Sequence, residues 1–185
     1  MPPFPPIHRT VFLDRDGVIN RVVLRGGRPY PPVSLEEFHF LPGVIEAVGL
    51  LRDAGFRLVV ATNQPDVASG TQRREVVEAI HQHIYDRLRV DDIKVCYHLD
   101  EDLCSCRKPK PGMLLEAAKE QNIDLCHSFM VGDRWRDIEA GRAAGCTTIL
   151  VASEYDEKQP EKPDLIVSSL YEAAKLILEG ETLKE

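Results

Sequence analysis

The sequence predicts an α/β protein with a Rossmann-like parallel sheet carrying helices on both faces. Three observations lead there. Short apolar runs alternate with longer amphipathic stretches, the pattern of strands buried on both sides and crossed over by helices. Three of the apolar runs stop abruptly at polar residues: Asp14 and Asp16, Thr62, and Asp133. Finally, 185 residues with 43% hydrophobic content are enough for one domain with a sizeable core.

The elements follow in order. Val11, Phe12 and Leu13 form the first strand, which ends at Asp14-Arg15-Asp16-Gly17. The run is too apolar to face water, so it delivers carboxylates to a sheet edge, where buried charge needs a partner or a purpose. Gly17 lets the backbone turn at once. Residues 21–41 read as a long polar excursion. Arg25-Gly26-Gly27-Arg28-Pro29-Tyr30-Pro31-Pro32 is turn chemistry rather than an element, and a loop of this length is commonly functional. Pro42 and Gly43 open a helix to residue 54, with Val44, Val48 and Leu51 on one face and Gly55 as its stop.

Residues 57–61 are the second strand, ending at Thr62-Asn63-Gln64. A helix over 71–89 aligns Val76, Ile80, Ile84 and Leu88. Further strands are expected at 93–97, 128–131 and 147–151, with a short one at 164–167. Helices are expected at 111–121, opened by Pro111, at 135–144, stopped by Gly145, and at 170–178. In such sheets ligands sit beyond the carboxyl ends of the strands, so Asp14, Asp16, Thr62 and Asp133 should converge at one edge.

Composition narrows the partners. The 23 Lys and Arg against 30 Asp and Glu give a net charge of −7, which argues against a general nucleic-acid groove or an anionic membrane surface. No apolar run approaches the ~20 residues of a membrane helix. The first six residues, Met-Pro-Pro-Phe-Pro-Pro, lack the apolar stretch of a secretory signal, and residues 1–8 read as a flexible Pro-rich arm before a single domain over 9–180. Five cysteines, three of them between Cys96 and Cys106, suit a metal clip in a reducing cytoplasm better than a disulfide framework. A monomer is expected.

Two constellations carry chemistry. Asp14, Asp16 and Asp133 form a hard-oxygen set suited to Mg2+. Arg107 and Lys108 supply positive charge and Thr62 a hydroxyl, and together these groups make a phosphoryl-transfer site. Cys96, His98, Cys104 and Cys106 can close a tetrahedral zinc site over 96–106. With all four positions taken by protein, such a zinc is structural. It would pin the loop that carries Arg107 and Lys108. Cys126, Cys146 and the remaining histidines, His8, His39, His81, His83 and His127, read as structural or surface residues. Trp135 belongs either to the site rim or to the core.

The chain resembles the haloacid dehalogenase (HAD) superfamily of phosphatases. Asp14-Arg15-Asp16-Gly17-Val18-Ile19-Asn20 matches its first motif, Thr62-Asn63-Gln64 the second, Lys108 the third, and Gly132-Asp133-Arg134 with Asp137 the fourth. The resemblance implies that Asp14 is the nucleophile and Asp16 the acid and base. It implies that Thr62 and Lys108 hold the phosphoryl group, and that Asp14, the Asp16 carbonyl and Asp133 bind Mg2+. Asp137 either orients Lys108 or the metal's waters, or is a first-turn carboxylate favoured by the helix dipole. Lys110, also followed by proline, competes with Lys108 for the third-motif role. No inserted cap domain fits between the motifs, so the site should be open and shaped by residues 21–36, the turn after Thr62, and 96–107.

Within the superfamily, the Cys-x-His and Cys-x-Cys-Arg-Lys-Pro string resembles the heptose 1,7-bisphosphate 7-phosphatases and their sister histidinol-phosphate phosphatases. Removal of a sugar 7-phosphate in lipopolysaccharide precursor synthesis is the implied reaction, and histidinol phosphate the alternative substrate. Asn63, Gln64, Arg107 and Arg134 are the expected substrate contacts, with Arg25 and Arg28 behind them. The chain departs from that pattern at Pro65-Asp66 and Ser69-Gly70, where Ser-Gly and an Arg-Gly are usual. From other classes, a nucleic-acid 3′-end phosphatase and a non-catalytic binding module remain as rivals.

Overall fold

The computed structural model describes residues 7–182. The expected Pro-rich arm lies outside the described residues for positions 1–6. Its last residue, His8, is paired with Ile123.

Six strands form one parallel sheet: β1 (Thr10–Leu13), β4 (Arg57–Asn63), β5 (Asp92–Cys96), β6 (Phe129–Gly132), β7 (Thr147–Val151) and β8 (Leu165–Val167). Their order is β5-β4-β1-β6-β7-β8. The chain leaves the central strand β1 toward β4 and β5, then returns to β6 on the other side. That reversal opens a crevice at the carboxyl ends of β1, β4 and β6. The helices are α1 (Val44–Asp53), α2 (Arg74–Leu88), α3 (Gly112–Gln121), α4 (Trp135–Ala144) and α5 (Leu170–Thr182). Among the described residues, no helix is long and apolar enough to cross a membrane.

The two-residue period of β1 builds both core layers. Val11 and Leu13 join residues of α1, α2 and α5 on one face, while Phe12 joins Met113, Leu114 and Ala117 of α3 on the other. All three strand residues are fully buried. Each large side chain buried this way contributes about 1.5–3 kcal/mol, so the strand presenting Asp14 is a rigid platform.

The first loop differs from expectation. Residues 21–41 contain an antiparallel hairpin, β2 (Val23–Arg25) and β3 (Arg28–Tyr30). Gly26 and Gly27 have φ of 57° and 77°, the two left-handed positions that a tight hairpin turn requires. Pro29 and the flanking charges hide the strand pattern, and Pro29 is tolerated because β3 is an edge. Helix α2 also starts later than expected. The backbone N–H groups of Thr71 and Gln72 both donate to Asp66 O, at 2.9 Å, which commits that segment to a turn.

Candidate active site

Asp14 and Asp133 leave adjacent strands at the same level, because Asp14 N–H donates to Val131 O at 2.9 Å just before each chain turns. Their carboxylates meet that of Asp137, in the first turn of α4, with ligand oxygens of all three within 4.8 Å of one another. All three are buried. Lys108 reaches the cluster from the far side of the crevice. Its Nζ donates to Asp14 Oδ1 at 2.8 Å, to Ala61 O at 2.6 Å, and to Asp137 Oδ1.

This arrangement separates the two candidate lysines. Lys108 is 2% exposed and lies in the crevice, while Lys110 Nζ donates to the carbonyls of Leu103 and Cys104 in the neighbouring loop. Asp137 makes two contacts. One oxygen holds Lys108, and the other accepts from Arg134 N–H at 3.1 Å at the start of the helix.

Charge in the cluster is unbalanced. Burial, then the Asp137 charge, pushes the Asp14 carboxyl up to about 6. Burial, then Asp14, holds Asp133 well above the carboxylate range. Burial works against the Lys108 ammonium, but the charges of Asp137 and Asp14 outweigh it and hold it above its ordinary value. The Tyr155 hydroxyl approaches the Asp133 carboxylate as a hydrogen-bond donor that favours its charge, although among the described residues neither oxygen has a partner of normal hydrogen-bond geometry. A buried carboxylate so sparsely matched by donors is unusual, and it suits a hard cation.

Gly17 permits this close approach. Its φ is +92°, and a Cβ there would stand 1.8 Å from Asp133 Oδ2. Gly17→Ala is expected to lower stability by about 1–3 kcal/mol, read as a fall in midpoint denaturant, through backbone strain and displacement of Asp133.

Asp16 occupies a different environment. The segment after β1 closes on itself, with Gly17 N–H donating to Asn20 O at 2.8 Å. The Asp16 carboxylate accepts from Asn20 Nδ2 at 2.9 Å, from Gln64 Nε2 at 2.8 Å, and from Nε and Nη2 of Arg15. Gln64 Nε2 also donates to Thr62 Oγ1 at 2.9 Å, so the ends of β1 and β4 are tied together. Behind Arg15 stands His81 of α2, which burial and then the Arg15 charge push down to about 4. An unfolded histidine takes up its proton near 6.5. Between 6.5 and about 4 the unfolded chain therefore binds more protons, and stability falls as pH falls. His81→Gln is expected to flatten that part of the stability–pH curve in urea titrations.

The other expected contacts divide. Asn63 reaches the crevice, but its amide clamps the Lys108 backbone: Nδ2 donates to Lys108 O at 3.0 Å, and Oδ1 accepts from Lys108 N at 3.1 Å. Gln64 is 1% exposed and fully used in the internal network. Arg134 lines the crevice and pairs with Glu157. Arg107 does not line it, and its Nε donates to Asp100 at 2.7 Å. Sequence reasoning missed Arg136, which lines the crevice while donating to Asp100 and to Lys108 O. The available signal was its place in the first turn of a helix that starts at a functional strand end. Pro29 and Tyr30 of the hairpin and Asp66 after β4 complete the rim. Trp135 lies beneath Arg136 and Lys158, which stack on its ring outside the core.

The second constellation also assembles. The Cys106 sulfur lies 3.2 Å from Cys96 Sγ, 3.4 Å from Cys104 Sγ and 3.3 Å from His98 Nδ1. Cys96 Sγ lies 3.7 Å from Cys104 Sγ. Ligands around one tetrahedral zinc stand about 3.5–3.8 Å apart; the four donors sit at or slightly inside that spacing, an arrangement compatible with a single ion. The loop is braced independently: Gly112 N–H donates to Ser105 O, and a Cβ on Gly112 would meet that oxygen at 2.2 Å. Asp100 in this loop then carries its position to Arg107 and Arg136.

Comparison with known proteins gives a consistent set. A family model described as HAD-hydrolase-like matches residues 105–173. The chain is 37% identical to the D-glycero-beta-D-manno-heptose-1,7-bisphosphate 7-phosphatase of Pasteurella multocida, over 91% of this chain and 96% of that protein. It is 37% identical to the enzyme of the same name from Pseudomonas aeruginosa, over 83% and 86% of the two chains. The fold matches the crystal structure of D,D-heptose 1,7-bisphosphate phosphatase from B. bronchiseptica complexed with magnesium and phosphate. The TM-score is 0.77 at 31% identity, covering 93% of this chain and 99% of that one.

Proposed function

The chain belongs to the HAD-like hydrolases, among the heptose-1,7-bisphosphate 7-phosphatases, and from that premise we propose that it removes the 7-phosphate of D-glycero-D-manno-heptose 1,7-bisphosphate through an aspartyl-phosphate. The observation that carries the chemistry is the buried cluster of Asp14, Asp133 and Asp137 with Lys108 on two of its members.

Asp14 is the nucleophile, presented by the end of a strand that is fully buried and paired on both sides. Asp16 gives its proton to the departing sugar oxygen and then takes one from the water that cleaves the intermediate. Lys108 and the Thr62 hydroxyl hold the transferring group. Asp14, the Asp16 carbonyl and Asp133 would hold Mg2+, a reading supported by the sparse donor matching of the buried Asp133 carboxylate. When bound, the cation neutralises the cluster and polarises the phosphoryl oxygens. Arg134 and Arg136 line the same crevice, paired with Glu157 and Asp100, and are the candidates for the retained phosphate. Arg107, turned to Asp100, supports them from behind. The thiol cluster suits a reducing cytoplasm.

The test is a substrate panel with Mg2+. Heptose bisphosphate is expected to be hydrolysed faster than fructose 1,6-bisphosphate, histidinol phosphate and a 3′-phosphorylated nicked DNA. Equal or faster turnover of any of these overturns the substrate assignment.

Cys96, His98, Cys104 and Cys106 hold a structural Zn2+ that fixes the loop leading to Lys108. Strong chelation is expected to expose backbone amides of residues 96–107 to hydrogen exchange before those of the sheet. Metal analysis finding no zinc in protein made with zinc available removes the assignment.

A further inference from the structure

Arg15 lies between the two aspartates of the first motif, and among the described residues it is the largest side chain that is fully buried. A guanidinium is costly to bury unless its N–H groups are matched. Here they are matched by three residues: Asp16 next in the chain, Gln64 just after β4, and His81 of α2. Nε and Nη2 donate to Asp16, at distances of 2.8–3.1 Å. Nη2 also donates to Gln64 Oε1 at 3.0 Å. Nη1 points at His81 Nε2, 3.1 Å away. Arginine has no acceptor, so Nε2 must accept and the imidazole proton must sit on Nδ1. A neutral His81 is also what burial and the adjacent guanidinium favour.

We propose that Arg15 is a positioning residue for proton transfer: it fixes the Asp16 carboxyl, and His81 on α2 fixes Arg15. The proposal rests on the acid and base role of Asp16 given above. In the first half-reaction the bond from the sugar oxygen to phosphorus breaks as the Asp14 oxygen bonds to phosphorus, and the Asp16 proton goes to the sugar oxygen. In the second, water oxygen bonds to phosphorus, the Asp14–phosphorus bond breaks, and the water proton returns to Asp16. Both transfers need one carboxyl at one place. Asn20 donates to Oδ1, Gln64 to Oδ2 and Arg15 to both, and the residue so held lines the crevice. A carboxyl left free to rotate would meet the leaving oxygen only part of the time.

A structural role alone would lower stability and affect every substrate alike, and leaving-group dependence separates the two. The parameter kcat/KM ends at the aspartyl-phosphate. It therefore depends on the Asp16 proton for a sugar alkoxide, but hardly for 4-nitrophenolate, which departs without one. Arg15→Met, Arg15→Lys and His81→Phe are expected to lose about 10- to 100-fold in kcat/KM on the best sugar phosphate and less than about threefold on 4-nitrophenyl phosphate. His81→Gln, which offers an acceptor near the position of Nε2, is expected to keep the wild-type ratio. Mg2+ affinity, read by calorimetry, is expected to be unchanged in all four.

Asp16→Asn serves as the reference. If it fails to shift the ratio, the acid role of Asp16 falls and the proposal falls with it. If Asp16→Asn shifts the ratio and the Arg15 and His81→Phe variants lower both substrates equally or neither, the positioning role alone is overturned. Should Arg15→Met not fold, Arg15→Lys and His81→Phe decide the matter.

Discussion

Asp14→Asn abolishes phosphate release, by more than about 10³-fold in kcat, while leaving the fold and its melting temperature intact or improved. Three properties of the site lead to this expectation. Asp14 is the last residue before a turn from a strand whose side chains are fully buried, so an amide of the same shape occupies the same place. The amide cannot attack phosphorus. It also removes one of three crowded carboxylates, whose repulsion adds to burial in raising Asp14 and Asp133, while its Oδ1 can still accept from Lys108, so in the metal-free protein the relief of repulsion offsets the weakened ion pair. Activity assays paired with thermal melts check both halves. Retained turnover sinks the nucleophile assignment, and a large loss of stability sinks the account of the cluster.

Lys108→Met is expected to behave oppositely. The substitution keeps the apolar stem and removes the cation that bonds Asp14 and Asp137. Breaking a buried pair on one side typically costs about 3–5 kcal/mol, because the abandoned charges stay buried. Without Mg2+, the variant should therefore melt well below wild type. Mg2+ supplies positive charge to the same carboxylates, so it should recover much of the lost stability. Activity should not recover: a fixed ammonium on the transferring phosphoryl group contributes about 10²–10³-fold, and the cation in its own site does not replace it. Melts with and without Mg2+, alongside kcat, test this. A variant as stable as wild type without the metal contradicts the electrostatic picture of the cluster.

The contrast between these variants reflects what the sequence could and could not reveal. Asp14, Thr62 and Asp133 were legible because each ends an apolar run, and a strand buried on both faces has only its ends free for polar groups. The clustering of Cys96, His98, Cys104 and Cys106 was legible because thiols and an imidazole crowd a short polar segment. The choice between Lys108 and Lys110 depends on geometry. Both are followed by proline, and what separates them is the Asn63 amide that grips the Lys108 backbone across the crevice. Arg15 and His81 were not legible at all. An arginine between two aspartates reads as a surface charge, and its burial depends on a helix that arrives more than sixty residues later. The hairpin was missed because Pro29 and the flanking arginines mask its alternation, although Gly26-Gly27 carried the turn signal.

The central claim is that phosphate passes through Asp14. A rapid acid quench of enzyme with Mg2+ and heptose bisphosphate, followed by peptide mapping, tests it directly. The account predicts a phosphoryl adduct on Asp14 that forms and decays at least as fast as turnover and is absent from Asp14→Asn. An adduct on another residue, or turnover by Asp14→Asn at the wild-type rate, would contradict it.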